Sequence, residues 1–181
     1  MRMPRSRICR AAVGAALAAV LLSGCTPTPE PTPTPTGFAT DEEAFEAAEA
    51  TYRAYVDALN EVDLADPATF EPVFALTTGE ANKATRKSFS EMHAKHWKVS
   101  GTNTVALVEP LDSESLPLEA QLAVCVDVST IQLTDADGNS VVGQRPRQQS
   151  LLVTVAEVPD APYGWLISSF AGRQGEPTCA T

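Results

Sequence analysis

The chain has 181 residues, with 13 lysines and arginines against 23 aspartates and glutamates, a net charge of −10 at neutral pH. That balance repels phosphate backbones and anionic lipid headgroups, so nucleic acid is excluded as a partner. The length suffices for one domain with a core of its own beside a processed leader.

Arg2, Arg5, Arg7 and Arg10 precede an apolar run, Ala11 to Leu22, that is twelve residues long. A hydrocarbon core needs about 20, so the run reads as the centre of a secretory signal and not as a membrane span. It closes on Leu22-Ser23-Gly24-Cys25, a leucine, two small residues and a cysteine, which resembles the lipobox of bacterial lipoprotein signal peptides. The resemblance implies cleavage before Cys25 and attachment of a diacylglyceryl group to its sulfur, with further acylation by a chain such as palmitate. Two or more chains anchor a protein stably, here on the extracytoplasmic face of the cell membrane. Loss of residues 1–24 removes four arginines, leaving nine basic against 23 acidic side chains, a net −14. Such a surface leaves membrane contact to the lipid alone.

Residues 25–39 form the next segment, with prolines at 27, 29, 31, 33 and 35 set mostly between threonines. Proline fixes φ, removes donors and pushes its predecessor to extended geometry, so the segment reads as a polyproline II stalk of about 3.1 Å per residue. Residues 40–181 remain as a single domain. With Cys9 discarded and Cys25 blocked, Cys125 and Cys179 are the remaining thiols in an oxidising compartment, and they are expected to pair. The alternative is two unpaired thiols. Richness in alanine, proline and threonine with few lysines suits a high-GC Gram-positive source.

Thr40 with Glu43 forms a capping box, and Phe45, Ala48, Tyr52, Val56 and Leu59 then share one stripe at helical spacing. Asp66-Pro67 reads as an N-cap and first-turn proline, opening a short helix through Phe70, Val73, Phe74 and Leu76. Thr77 with Glu80 offers a capping box for a third helix that carries Ala81, Ala84, Phe89 and Met92 to about Lys95. The period then changes to two. Trp97, Val99, Val105 and Leu107 alternate with polar residues as one half-buried strand, and Leu122, Val124, Val126 and Val128 form the next apolar face. Thr134 to Ser140 makes a hairpin turn around Asp137-Gly138, Leu151, Val153 and Val155 mark another strand, and Tyr163 to Gly172 the last. Helices first and an antiparallel sheet afterwards predict an α+β fold with N-terminal helices packed on a curved sheet.

The segment Tyr55-Val56-Asp57-Ala58-Leu59-Asn60-Glu61-Val62-Asp63-Leu64 resembles the first helix and turn of the nuclear-transport-factor-2-like superfamily, which includes ketosteroid isomerase and the SnoaL-type polyketide cyclases. The resemblance implies a cone-shaped domain around a pocket, on a fold that hosts both enzymes and binding modules. It places Tyr55 where the isomerase has a tyrosine that donates to a developing oxyanion. The isomerase's base aspartate has no counterpart, because Thr77 to Ser90 reads as cap and helix without an aspartate. Tyr55 and Trp97 are the candidate pocket residues, and no catalytic residue is assigned.

Other chemistry is sparse. His93 and His96 stand three apart but lack a third ligand on their side of the helix, so no metal site is expected. Asp135, Asp137 and Asn139 mimic the start of a calcium loop, yet the glycine falls at position four instead of six and no glutamate closes it. Nucleophile elbows, phosphate loops and cofactor motifs are absent. The reading is a non-enzymatic, lipid-anchored envelope protein that binds a small apolar ligand or an envelope protein. One alternative is an isomerase- or cyclase-type enzyme using Tyr55 with a base yet to be identified. Another is a homodimer formed through the sheet face that bears Ala123 and Cys125.

Overall fold

The computed structural model describes residues 37–111 and 116–180. The expected signal segment, the expected lipobox Leu22-Ser23-Gly24 with its lipid-attachment residue Cys25, and the prolines of the expected stalk lie outside the described residues. Among the described residues no helix is long and apolar enough to cross a membrane.

Thr40 starts the first helix, α1 (Asp41–Asn60), by accepting the Glu43 N–H at 3.1 Å on its hydroxyl. The Glu43 carboxylate reaches back to the Ala39 N–H at 2.9 Å, one residue earlier than the usual capping box, so both groups serve orphan donors. Asp41, Glu42 and Glu43 fill the first turn, where the helix dipole favours negative charge. Ala44, Ala48, Tyr52 and Val56 form the buried stripe, with Phe45 half-buried beside it.

Asp66 caps a 3₁₀ turn, Pro67–Phe70, by accepting the Ala68 N–H, and the turn runs directly into α2 (Glu71–Ala75). The third helix, α3 (Gly79–Ala94), starts differently from its sequence expectation. Its N-cap is Thr78, with no side-chain cap bond. Thr77 is drawn away because it is buried and bridges to Ile167, while its hydroxyl donates to the Phe74 carbonyl and accepts from the Asn82 amide. Glu80, left without a capping role, pairs with Lys83 on the surface.

The expected single strand from Trp97 to Leu107 is two strands, β1 (Lys98–Ser100) and β2 (Thr104–Pro110). Gly101 separates them at φ +91°, with the position of an absent Cβ only 2.1 Å from the Thr130 carbonyl oxygen. Only glycine fits there. The remaining strands are β3 (Glu119–Asp127), β4 (Gln132–Thr134), β5 (Gln148–Glu157) and β6 (Trp165–Gly172), the last starting two residues later than expected. All pairings between them are antiparallel: β1 joins β4 in a short ribbon, and the main sheet runs β2-β3-β5-β6. Register breaks between Val105 and Leu107 and between Thr154 and Val155 mark bulges, which bend the sheet. This is the expected α+β arrangement, with helices ahead of a bent antiparallel sheet.

Two cores follow. In the first, the α1 stripe and Ala81 of α3 cover Leu122, Val124, Val153, Val155, Trp165 and Ile167. Each fully buried aliphatic or aromatic side chain there contributes about 1.5–3 kcal/mol. Trp165 donates its ring N–H to the Ala44 carbonyl at 3.0 Å and stacks on Phe38 at 5.2 Å. Phe38 therefore belongs to the folded unit, two residues ahead of the boundary expected at 40. In the second core, Val62, Leu64 and Val73 pack with Phe70, Phe74 and Phe89.

The expected disulfide is present, joining Cys125 to Cys179 across 54 residues. It lays the C-terminal segment on the outer side of β3, where the Ala180 N–H donates to the Gln148 side chain. Ala123 and Cys125 are only 0% and 2% exposed, so the sheet face expected to be open for a homodimer is closed at those residues.

Candidate functional site

Between the second core and the β1–β4 ribbon lies a half-open cleft of about 190 Å³. The last turn of α1 gives Leu59, the turn after it Val62 and Leu64, and α3 gives Phe89 and Met92. Val99 and Leu133 form the opposite wall, and Ile131, Val142, Asn103 and Arg145 complete the lining.

Polar clasps hold these walls apart at fixed spacing. Asn60, at the end of α1, donates to the Asn103 carbonyl and accepts from the Asn103 backbone and side-chain amides on one oxygen. Thr130 and Thr102 exchange two bonds across the base of the ribbon. The ring Nδ1 of His93 lies 2.8 Å from the Leu64 carbonyl and ties α3 to the turn after α1. Arg145 donates one guanidinium nitrogen to both the Val128 and Ile131 carbonyls, at 3.0 and 2.9 Å. Such a lining offers dispersion contacts, one amide and one guanidinium. Among the described residues it contains no carboxylate, imidazole, thiol or hydroxyl, and so no group that exchanges protons near neutral pH.

Neither residue expected to line a pocket is in this cleft. Tyr55 lies between the two cores, 5.2 Å from Phe170 and 6.2 Å from Tyr52 between ring centres. Burial pushes its phenol up to about 12, the Thr85 hydroxyl opposing. The Tyr52 phenol is raised further, first by burial and then by Tyr55. A tyrosine held neutral in this way can donate a hydrogen bond, and among the described residues no carboxylate shifts it. Trp97 packs half-buried against the second core with the Lys95 ammonium 5.1 Å over its ring. The cleft borrows its wall from residues one or two positions along, Val99 and Leu59.

The other sequence features are local structure. His96 sits outside α3 at φ +55°, on a left-handed turn just past the helix end. Asp135 closes its own hairpin, accepting backbone N–H bonds from Asp137 and Asn139, which hold its carboxyl below the usual range. Sequence reasoning passed over Arg145, although Arg145-Pro146-Arg147 is a rare basic tract in an acidic domain.

No family model and no curated protein matches the chain. Solved structures do align with it. The intermembrane-space region of the chloroplast protein ARC6 aligns at 12% identity over 70% of this chain and 94% of that one, with a TM-score of 0.49. A Catenulispora acidiphila protein in complex with S-DNPA aligns at 13% identity over 70% and 90%, TM-score 0.45. VirB8 of Agrobacterium tumefaciens aligns at 13% identity over 79% and 100%, TM-score 0.42. Likenesses this distant concern the outline of the fold and bring no activity or partner with them.

Proposed function

We propose that this chain is a non-enzymatic, lipid-anchored protein of the cell envelope whose folded domain takes a small apolar ligand in the cleft between the second core and the β1–β4 ribbon. The observation that carries this reading is the cleft's lining, nine apolar side chains with no group that moves a proton. Apolar cavities of about 150 Å³ accept a benzene molecule, so 190 Å³ suits one ring or a short branched chain. Asn103 and Arg145 supply the few polar groups that orient a ligand in such sites.

The ligand arm is tested by titrating indole into the labelled chain and following methyl resonances. Saturable shifts confined to Leu59, Leu133 and Val142, abolished in Val142→Trp, support the reading. Indole that moves no cleft methyl, or that binds Val142→Trp equally, refutes it. The anchor rests on Leu22-Ser23-Gly24-Cys25 and is tested separately by fractionation and intact mass. The wild type should sediment with membranes carrying a diacylglyceryl mass on Cys25, and Cys25→Ser should lose that modification. An unmodified mature Cys25 refutes the anchor.

A further inference from the structure

Beside the disulfide, and sharing Arg145 with the apolar cleft, an open hollow of about 550 Å³ gathers Arg145, Arg147 and Arg173 with Gln148, Ser150 and Thr178. Three of the chain's 13 basic residues meet here, in a protein that is acidic overall. Like Lys95 and Lys98, they stand outside the ion pairs among the described residues. Arg53, Lys83, Arg86 and Lys87 each stand within 4 Å of a glutamate, but among the described residues none of these three arginines closes an ion pair. Arg147 has Asp127 in its vicinity without such a contact.

Arg173 fixes one wall of the hollow. Its two terminal nitrogens donate to the Gly175 and Pro177 carbonyls, holding the C-terminal segment in place. Its Nε is buried and is the single buried side-chain polar atom without a hydrogen-bond partner among the described residues. A buried donor of a charged group is almost always satisfied, by protein, water or an ion. Arg145 spends only Nη2 on carbonyls, which leaves Nη1 and Nε without partners among the described residues. The hollow therefore presents unused guanidinium donors of Arg145 and Arg147 on one chain segment and the charge of Arg173 on a second, with side-chain amides and hydroxyls between them.

We propose that this hollow is a binding site for a phosphate group, with Arg145 and Arg147 donating to its oxygens beside the charge of Arg173. Guanidinium forks match the geometry of phosphate oxygens, and charge-assisted bonds of this kind are the strong ones. A doubly charged phosphate suits three arginines better than a monocarboxylate does. The phosphate is either free in solution or part of a lipid headgroup.

The experiment uses the full chain in nonionic detergent, with arginine side-chain Nε–Hε resonances observed during titration with inorganic phosphate. Saturable movement of the Arg173 signal, weakened at least fivefold in Arg147→Gln and unchanged in Arg53→Gln, establishes a free-phosphate site. A second arm places the chain in phosphatidylcholine vesicles with and without phosphatidylglycerol. Slower amide exchange across 145–150 and 173–180 only in the anionic vesicles, lost in Arg147→Gln, assigns the site to a headgroup. No response in either arm, or responses that Arg147→Gln leaves intact, overturns the proposal.

Discussion

Replacing both Cys125 and Cys179 with alanine tests how much of the domain's stability comes from one cross-link. The bridge spans 54 residues. On the chain-entropy model, a loop of that size restricts the unfolded ensemble by about 4 kcal/mol at 25 °C. Alanine is the proper replacement because Cys125 is 2% exposed, and a serine there would bury an unsatisfied hydroxyl. Loss of the two sulfurs adds roughly 1 kcal/mol of packing. For a domain of this size each kcal/mol moves the melting temperature by about 3 °C, so the variant should melt about 12–15 °C lower than the oxidised wild type. Wild type under reductant isolates the entropic part and should fall by nearly as much. The loss should also be local in the native state. Amides of 176–180 should exchange freely, while the β3–β5 ladder, which does not depend on the bridge, stays protected. A melting shift under about 3 °C in both experiments refutes the reasoning, because it means that the cross-link constrains little of the unfolded chain.

Three further outcomes follow from the geometry. Gly101→Ala puts a Cβ 2.1 Å from the Thr130 oxygen at φ +91°, so urea unfolding should show a loss of more than about 2 kcal/mol; wild-type stability would refute the glycine break between β1 and β2. Phe38→Ala removes the ring stacked on Trp165 and should cost about 2–3 kcal/mol by the same measurement, whereas a neutral result would return Phe38 to the stalk. Alkaline pH should destabilise the domain. The unfolded tyrosines release protons near pH 10, whereas burial holds Tyr55 protonated up to about 12. Between those values the native state binds more protons than the unfolded state, so stability falls as pH rises. Tyr55→Phe should flatten part of that slope, and an unchanged slope refutes the assignment.

The cap at Thr40, the stripe on α1 and the cap at Asp66 were legible because each depends on neighbours within four residues. The same reasoning failed at Thr77, where a contact with Ile167, 90 positions away in the chain, outweighed a local capping box. It failed again between β1 and β2. The apolar positions 97, 99, 105 and 107 keep one register on either side of Gly101 and Asn103, and the approach of the Thr130 backbone shows why the strand must break there. The expectation of a pocket at Tyr55 came from a resemblance in one helix. The packing of Phe170 and Tyr52 fills that place and leaves the opening at the far end of α1.

By itself the sequence determined the charge, the α+β order of elements and the candidate pair Cys125 and Cys179. These depend on composition, on short-range spacing and on elimination, none of which requires knowing what touches what. Tertiary structure alone decided where the chain leaves space and which charges meet. The cleft draws on both helix ends and both ribbon strands, and the arginine hollow joins residues 145–150 to 173–180 across the sheet. Segments so far apart have no shared period, and their proximity comes from sheet register and the Cys125–Cys179 link.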